Sequence, residues 1–192
     1  MTFGGAMEAL FLVLIGAVLF SQSWQLLGLY SDTRTTGLLM LVLGVITVLA
    51  AISASLYEPM LINGDGIKTD IATETMVMKV VIVSWGIYAI VAGAQYLWDF
   101  DERANGFYSG FIAISTFCCF IYFSRFMEVR YNVETLFALS GATLILSLIA
   151  GFNFFHRATE YSVMRLICGW SMLLGGSAVA LIGLAVLTRL LS

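Results

Sequence analysis

Three side-chain amides stand out in a chain that is 60% hydrophobic and only 11% charged. Gln22, Gln95 and Asn153 each sit near the far end of a long apolar run, shortly before a polar turn. An amide offers two donors and an acceptor oxygen without carrying a charge. Three amides at similar depth suit a neutral polar solute, which must exchange its water hydrogen bonds for protein ones. They suit an ion poorly. The same side chains would also serve as hydrogen-bonded glue between helices in lipid, and the residues themselves leave both roles open.

The rest of the charge inventory points the same way. Glu8, Lys79, Arg125, Arg165 and Arg189 fall within a turn or two of the ends of apolar runs, where long side chains reach the interface. A proton relay needs an intramembrane carboxylate or base, and none is evident. The single histidine, His156, falls in a polar turn and reads as a solvated surface residue. One histidine cannot form a pH-sensing cluster. Cys118, Cys119 and Cys168 lie in apolar runs without metal-ligand spacing and read as buried free thiols. No Ser-His pair, paired carboxylates or metal cluster is evident, so the chain is not expected to be an enzyme or to hold a cofactor or metal. A net charge of −3 offers no basic surface for nucleic acid.

What must position the amides is a set of membrane helices. The chain has 192 residues and a mean hydropathy of +0.97. A spanning helix needs about 20 mostly apolar residues. Six stretches qualify: 7–29, 37–57, 75–98, 106–126, 133–155 and 162–190. Apolar residues lie all round these runs, so helices rather than barrel strands are expected. The fold class is an all-α integral membrane protein. One membrane domain fills residues 1–192, built as three two-helix hairpins at about 7–57, 75–126 and 133–190 around a central pore. No cleavable signal peptide is expected, because the N-terminus has no basic region and no small-residue cleavage site.

The hairpins read as an internal repeat. With the amides in register, the flanks are FSQSWQLLG, AGAQYLWDF and AGFNFFHRA. The second turn is read as 99–105 and the third as 156–160, with the return helix starting near Ser162. Gly37 and Gly110 fall 15 residues after their amides, and Gly169 falls 16 after Asn153. The glycines read as close-packing positions between helices. The second connection, 58–74, is the longest and holds the only proline, Pro59, with a turn signal at 63–66. The fourth, 127–132, carries Glu128 and Arg130. Orientation is not set by charge: Lys68, Lys79, Arg125, Arg130 and Arg189 fall on one side, and Arg34, Arg103, Arg157 and Arg165 on the other. Aromatics divide into an interfacial set (Trp98, Phe107, Tyr108) and a deeper set. Trp85, Tyr88, Phe117, Phe120, Phe123 and Trp170 are the deep ones, able to narrow a pore or to pack against a neighbouring helix.

GAVLFSQSWQLLG, followed by a polar turn and GLLMLVLGVITVL, resembles the opening of the AmiS/UreI family of urea channels and short-chain amide transporters. The segment WGIYAIVAGAQYLWDFDERANGFYSGFIAISTFCCFIYFSRF resembles its second hairpin, and CGW at 168–170 a segment near its end. The resemblance implies a six-helix bundle around a pore and a hexamer with one channel in each protomer. It also implies an inner-membrane location with both termini outside, and passive passage of urea or small neutral amides through the bilayer. On that reading Gln22, Gln95 and Asn153 are polar pore contacts. Trp85 and Tyr88 form a constriction, with Phe120 a further contact.

The chain departs from the family at defined places. Gln22-Ser23 stands where the family has Asn-Gly. Leu139, Thr143 and Ser147 stand where fifth-helix tryptophans line the narrow part of the pore. Ala89 replaces a tyrosine, with Tyr88 beside it, and Cys168 replaces a Glu or Gln. The acid gate of one branch uses histidines on the outer side, and this chain has none there, so no such gate is expected. The missing tryptophans motivate an alternative: a non-conducting accessory subunit of a larger membrane complex that keeps the channel fold.

Overall fold

The computed structural model describes residues 3–29, 32–57, 69–126, 133–159 and 162–188. The stretch 58–68 with Pro59 and its turn signal, the 127–132 connection with Glu128 and Arg130, and Lys68 and Arg189 lie outside the described residues. Six helices account for nearly all of what is described: α1 (Phe3–Leu27), α2 (Thr33–Tyr57), α3 (Thr69–Trp98), α4 (Glu102–Phe126), α5 (Val133–Thr159) and α6 (Ser162–Leu187). Each contains a segment of 20 to 25 residues long and apolar enough to cross a membrane. The chain is a multi-pass membrane protein.

α2 and α4 begin earlier than hydropathy alone suggests, because polar residues cap them. Asp32 precedes α2, and its Oδ2 accepts from the Thr35 backbone N–H at 3.0 Å and from the Thr35 hydroxyl at 2.7 Å. Asp101 precedes α4, and its Oδ1 accepts from the Arg103 N–H at 3.0 Å. Such side chains satisfy donors that a helix start leaves free. The connections shrink accordingly. The segment read as a turn over 99–105 is a reversal at 99–101, and Asn105 becomes a helical residue. Left-handed residues end the preceding helices: Gly28 has φ 71° and Asp99 has φ 56°. The third reversal also differs from the expected 156–160, since α5 runs on to Thr159 and carries His156 and Arg157 inside it.

Chain connectivity makes hairpins of α1–α2, α3–α4 and α5–α6, yet the tightest packing runs between hairpins. It joins α1 to α6, α2 to α3, and α4 to α5. Glycine makes this possible. A methyl group on Gly93 would come within 2.6 Å of the Gly37 carbonyl oxygen, and one on Gly16 within 2.6 Å of the Gly176 carbonyl oxygen. Gly110 lies against the Phe154 ring. Close backbone approach takes the place of the hydrophobic drive that lipid removes.

The six helices form a closed ring of neighbours. Its members are not equivalent. α1, α3 and α5 bury half or more of their spans, whereas α2, α4 and α6 bury a third or less. The outer helices show large apolar side chains such as Leu49, Ile114 and Leu181, the surface a lipid bilayer covers. The three inner helices run in one direction because a short reversal and a return helix follow each. Their C-terminal ends therefore share one end of the bundle, and all three amides lie there.

Candidate functional site

Each amide projects inward from an inner helix near its C-terminal end, and all three are buried: Gln22 at 0% exposure, Gln95 at 5% and Asn153 at 1%. Gln22 meets Tyr88 of α3. Its Nε2 donates to the tyrosine hydroxyl at 2.9 Å, and that hydroxyl donates to its Oε1 at 3.0 Å. Trp85 lies one turn away on α3 with its ring edge-on to Tyr88, centroids 5.4 Å apart. Its indole Nε1 donates to the Thr116 hydroxyl of α4 at 3.3 Å. Trp85 and Tyr88 are each 1% exposed, so in this conformation they fill the interior at their level. On α4 the inward stripe is Ile112, Thr116, Cys119 and Phe123. Phe120 is half-buried beside that stripe and pairs with the exposed Phe117. Trp170 is exposed as well, so the deep aromatics divide between the interior and the lipid face.

The other two amides are joined by a residue that sequence reasoning assigned to a turn. Arg157 is 3% exposed. Its Nε donates to Asn153 Oδ1 at 3.1 Å, its Nη1 to Gln95 Oε1 at 2.7 Å, and its Nη2 to the Tyr96 hydroxyl at 3.3 Å. The guanidinium carbon lies 5.9 Å from the Tyr96 ring centre. Gln95 and Asn153 thus share one polar cluster around Arg157, while Gln22 bonds Tyr88. Among the described residues Arg157 hydrogen-bonds only neutral groups. A buried guanidinium held this way depends on every acceptor it has.

Gln95 completes the cluster on the turn side. Its Nε2 donates to the Asp101 carbonyl at 2.9 Å, tying the end of α3 to the cap of α4. Its Oε1 also accepts from Asn105 Nδ2 at 2.9 Å. Asn105 is 1% exposed. Cys168 of α6 packs against Asn153, with its sulfur 3.9 Å from Oδ1. The residue expected in place of a family carboxylate or amide thus still faces the cluster.

The expected Gln22, Gln95, Asn153, Trp85 and Tyr88 are all buried in the interior, and Arg157, Asn105 and Tyr96, which belong to the hydrogen-bonded cluster there, were not among the expected site residues. A usable signal existed for Arg157. It stands four residues after Asn153, so a helix that continued would place both on one face. His156 departs from its expected solvated setting: it is half-buried on α5, and its Nδ1 is buried without a partner. Cys118 departs from its expected burial and is exposed, while Cys119 and Cys168 are buried. Leu139, Thr143 and Ser147, read above as standing in for tryptophans, are buried on α5. The two hydroxyls are spent on backbone: Thr143 donates to carbonyls of its own helix, and Ser147 to the Ala113 carbonyl of α4 at 2.8 Å.

No family model matches the chain, and no curated protein matches it in sequence. Solved structures do match. The crystal structure of the urea channel from Helicobacter pylori superposes with a TM-score of 0.74 at 16% identity, covering 96% of this chain and 99% of that one. The closed-state cryo-electron microscopy structure of the Helicobacter pylori urea channel gives a TM-score of 0.71 at 14% identity, covering 94% and 98%. The chain therefore carries the six-helix urea-channel fold over nearly its whole length.

Proposed function

We propose that the protein is a passive channel for urea or small neutral amides. The observation that carries this is the urea-channel fold, shared end to end. Fold alone does not fix function, and the site supplies the chemistry. Uncharged amides and hydroxyls converge at one end of the bundle interior, as a dehydrating neutral solute requires. By analogy with the family the chain resembles, six copies assemble in an inner membrane, each with its own passage. The termini then face outward and the short reversals face the cytoplasm. Gln22, Gln95 and Asn153 would be the polar contacts, with Trp85, Tyr88 and Phe120 at or near the constriction.

Trp85, Tyr88 and Arg157 occupy the interior, so passage requires them to move. Side-chain motion of that kind is compatible with a closed resting state. Stopped-flow light scattering on proteoliposomes under urea and acetamide gradients tests the reading. Solute entry well above that of protein-free liposomes is expected. Entry equal to the protein-free control, from protein shown to be folded and inserted, overturns it and leaves the accessory-subunit reading.

A further inference from the structure

Arginine has only donors, and its charge persists at any working pH. That fact fixes the orientation of every amide around Arg157. Gln95 must present Oε1 to Nη1, which leaves its Nε2 for the Asp101 carbonyl. Asn153 must present Oδ1 to Nε, and Cys168 approaches the same oxygen. Since Gln95 Oε1 already faces inward, Asn105 must offer it Nδ2. None of these amides can flip without placing two acceptors or two donors face to face. Two atoms are then left over. Asn153 Nδ2 is a buried donor without a partner, and Asn105 Oδ1 is a buried acceptor without a partner. Both residues are 1% exposed. Leaving such groups unpaired is costly unless something else occupies them.

We infer that Asn153 Nδ2 and Asn105 Oδ1, oriented by Arg157, form a binding station for one primary amide group. The solute carbonyl accepts from Asn153, and the solute N–H donates to Asn105. This rests on the channel reading for its biological role, but the complementarity stands on the hydrogen-bond polarity alone. The station is specific for a group that carries an acceptor and a donor on one carbon. A ketone satisfies only Asn153. A cation finds the guanidinium beside it. Arg157 is a positioning residue here: it bonds Asn153 directly and holds Asn105 through Gln95, and the two asparagines meet the solute.

The full-length protein labelled with 15N-asparagine gives four side-chain amide signals, from Asn63, Asn105, Asn132 and Asn153. Titration with acetamide, followed by NMR in nanodiscs, is expected to move the Asn105 and Asn153 signals saturably and leave the other two in place. Acetone is expected to move Asn153 only. Arg157→Met is expected to weaken the acetamide response about tenfold or more, because the amides are then free to turn and satisfy one another. If that variant does not fold, Asn105→Leu serves: its acetamide response falls to the level of its acetone response. The inference is overturned by no saturable shift in the folded wild type, by equal shifts at all four asparagines, or by an unchanged affinity in Arg157→Met. The channel reading fails separately. Shifts without liposome flux keep the station and lose the channel, and flux without shifts does the reverse.

Discussion

Arg157 lies one turn beyond Asn153 on α5, and its Nε donates to the amide oxygen of that residue at 3.1 Å. The pair turns a helix end into the organising point of the polar cluster. The carbonyls of a helix C-terminus carry partial negative charge and favour a cation there. Arg157 and His156 both occupy the last turns of α5. That preference helps to hold a guanidinium inside the bundle where it hydrogen-bonds neutral acceptors.

The first prediction concerns ions. On the channel reading, the fixed positive charge of Arg157 repels a permeating cation. At a separation of ~10 Å and an effective dielectric of ~20 the repulsion is ~1.5 kcal/mol, or about tenfold in rate. Arg157→Gln keeps hydrogen-bonding capacity and removes the charge. It is expected to raise methylammonium entry into proteoliposomes about tenfold while urea entry changes less. Equal cation entry in the variant and the wild type would show that Arg157 does not guard the path.

The second concerns stability. Gln95→Leu takes away the shortest hydrogen bond of the guanidinium, that of Nη1 at 2.7 Å. The charge stays buried, so the expected cost is ~1.5–3 kcal/mol. Arg157→Met removes the charge itself and keeps an unbranched side chain in its place, which should cost less. Thermal unfolding in detergent is expected to rank wild type above Arg157→Met, and Arg157→Met above Gln95→Leu. The reverse order of the two variants would mean that the guanidinium is not the group at risk.

The fold was readable because membrane helices are written in long apolar runs, and six such runs allow few arrangements. The helix count and the all-α fold followed from that. Packing partners did not. Gly37 and Gly93 lie far apart in sequence, and nothing local says that they meet across α2 and α3. The hairpin that a short turn implies is a fact of connectivity, not of contact. Arg157 was misplaced for a related reason. Hydropathy ends a helix where charges begin, whereas here α5 continues because the charge is buried against neutral acceptors. Asn105 was hidden by the Asp101 cap, which converts an expected turn into the first turns of α4. Tyr88 could be named from its neighbourhood, but its bond to Gln22 spans 66 residues and needed the fold.

The third prediction follows from the glycines. A Cβ at Gly93 would lie 2.6 Å from both the Gly37 carbonyl oxygen and the Leu41 backbone nitrogen. Backbone cannot move aside as a side chain can, so Gly93→Ala is expected to cost ~1–3 kcal/mol by overpacking. A Cβ at Gly141 meets nothing within 4 Å. Gly141→Ala should instead gain up to ~1 kcal/mol of helix propensity. Opposite shifts in thermal midpoint are expected from two identical chemical changes. Matching shifts would contradict the packing of α2 on α3.

The last prediction concerns acid. Asp32 is outside the spans, and its carboxyl is held below its ordinary 3.8, first by the Thr35 hydroxyl and then by the Thr35 backbone N–H. The folded state therefore favours the carboxylate. Its contribution is complete above pH 3.8, the value taken for the unfolded chain, and is lost as pH falls through the lower folded value. The α2 cap should be intact across the neutral and mildly acidic range and should fail only in strong acid. Hydrogen exchange at the Thr35 amide measures this directly, with protection expected to persist at pH 5 and to fall only once the pH is taken below 3.8. Asp32→Ala should remove the protection at every pH, whereas Asp32→Asn, which keeps an acceptor oxygen, should retain it and lose its pH dependence. Loss of protection already at pH 6 in the wild type would show that the Asp32 carboxylate is not what holds the start of α2.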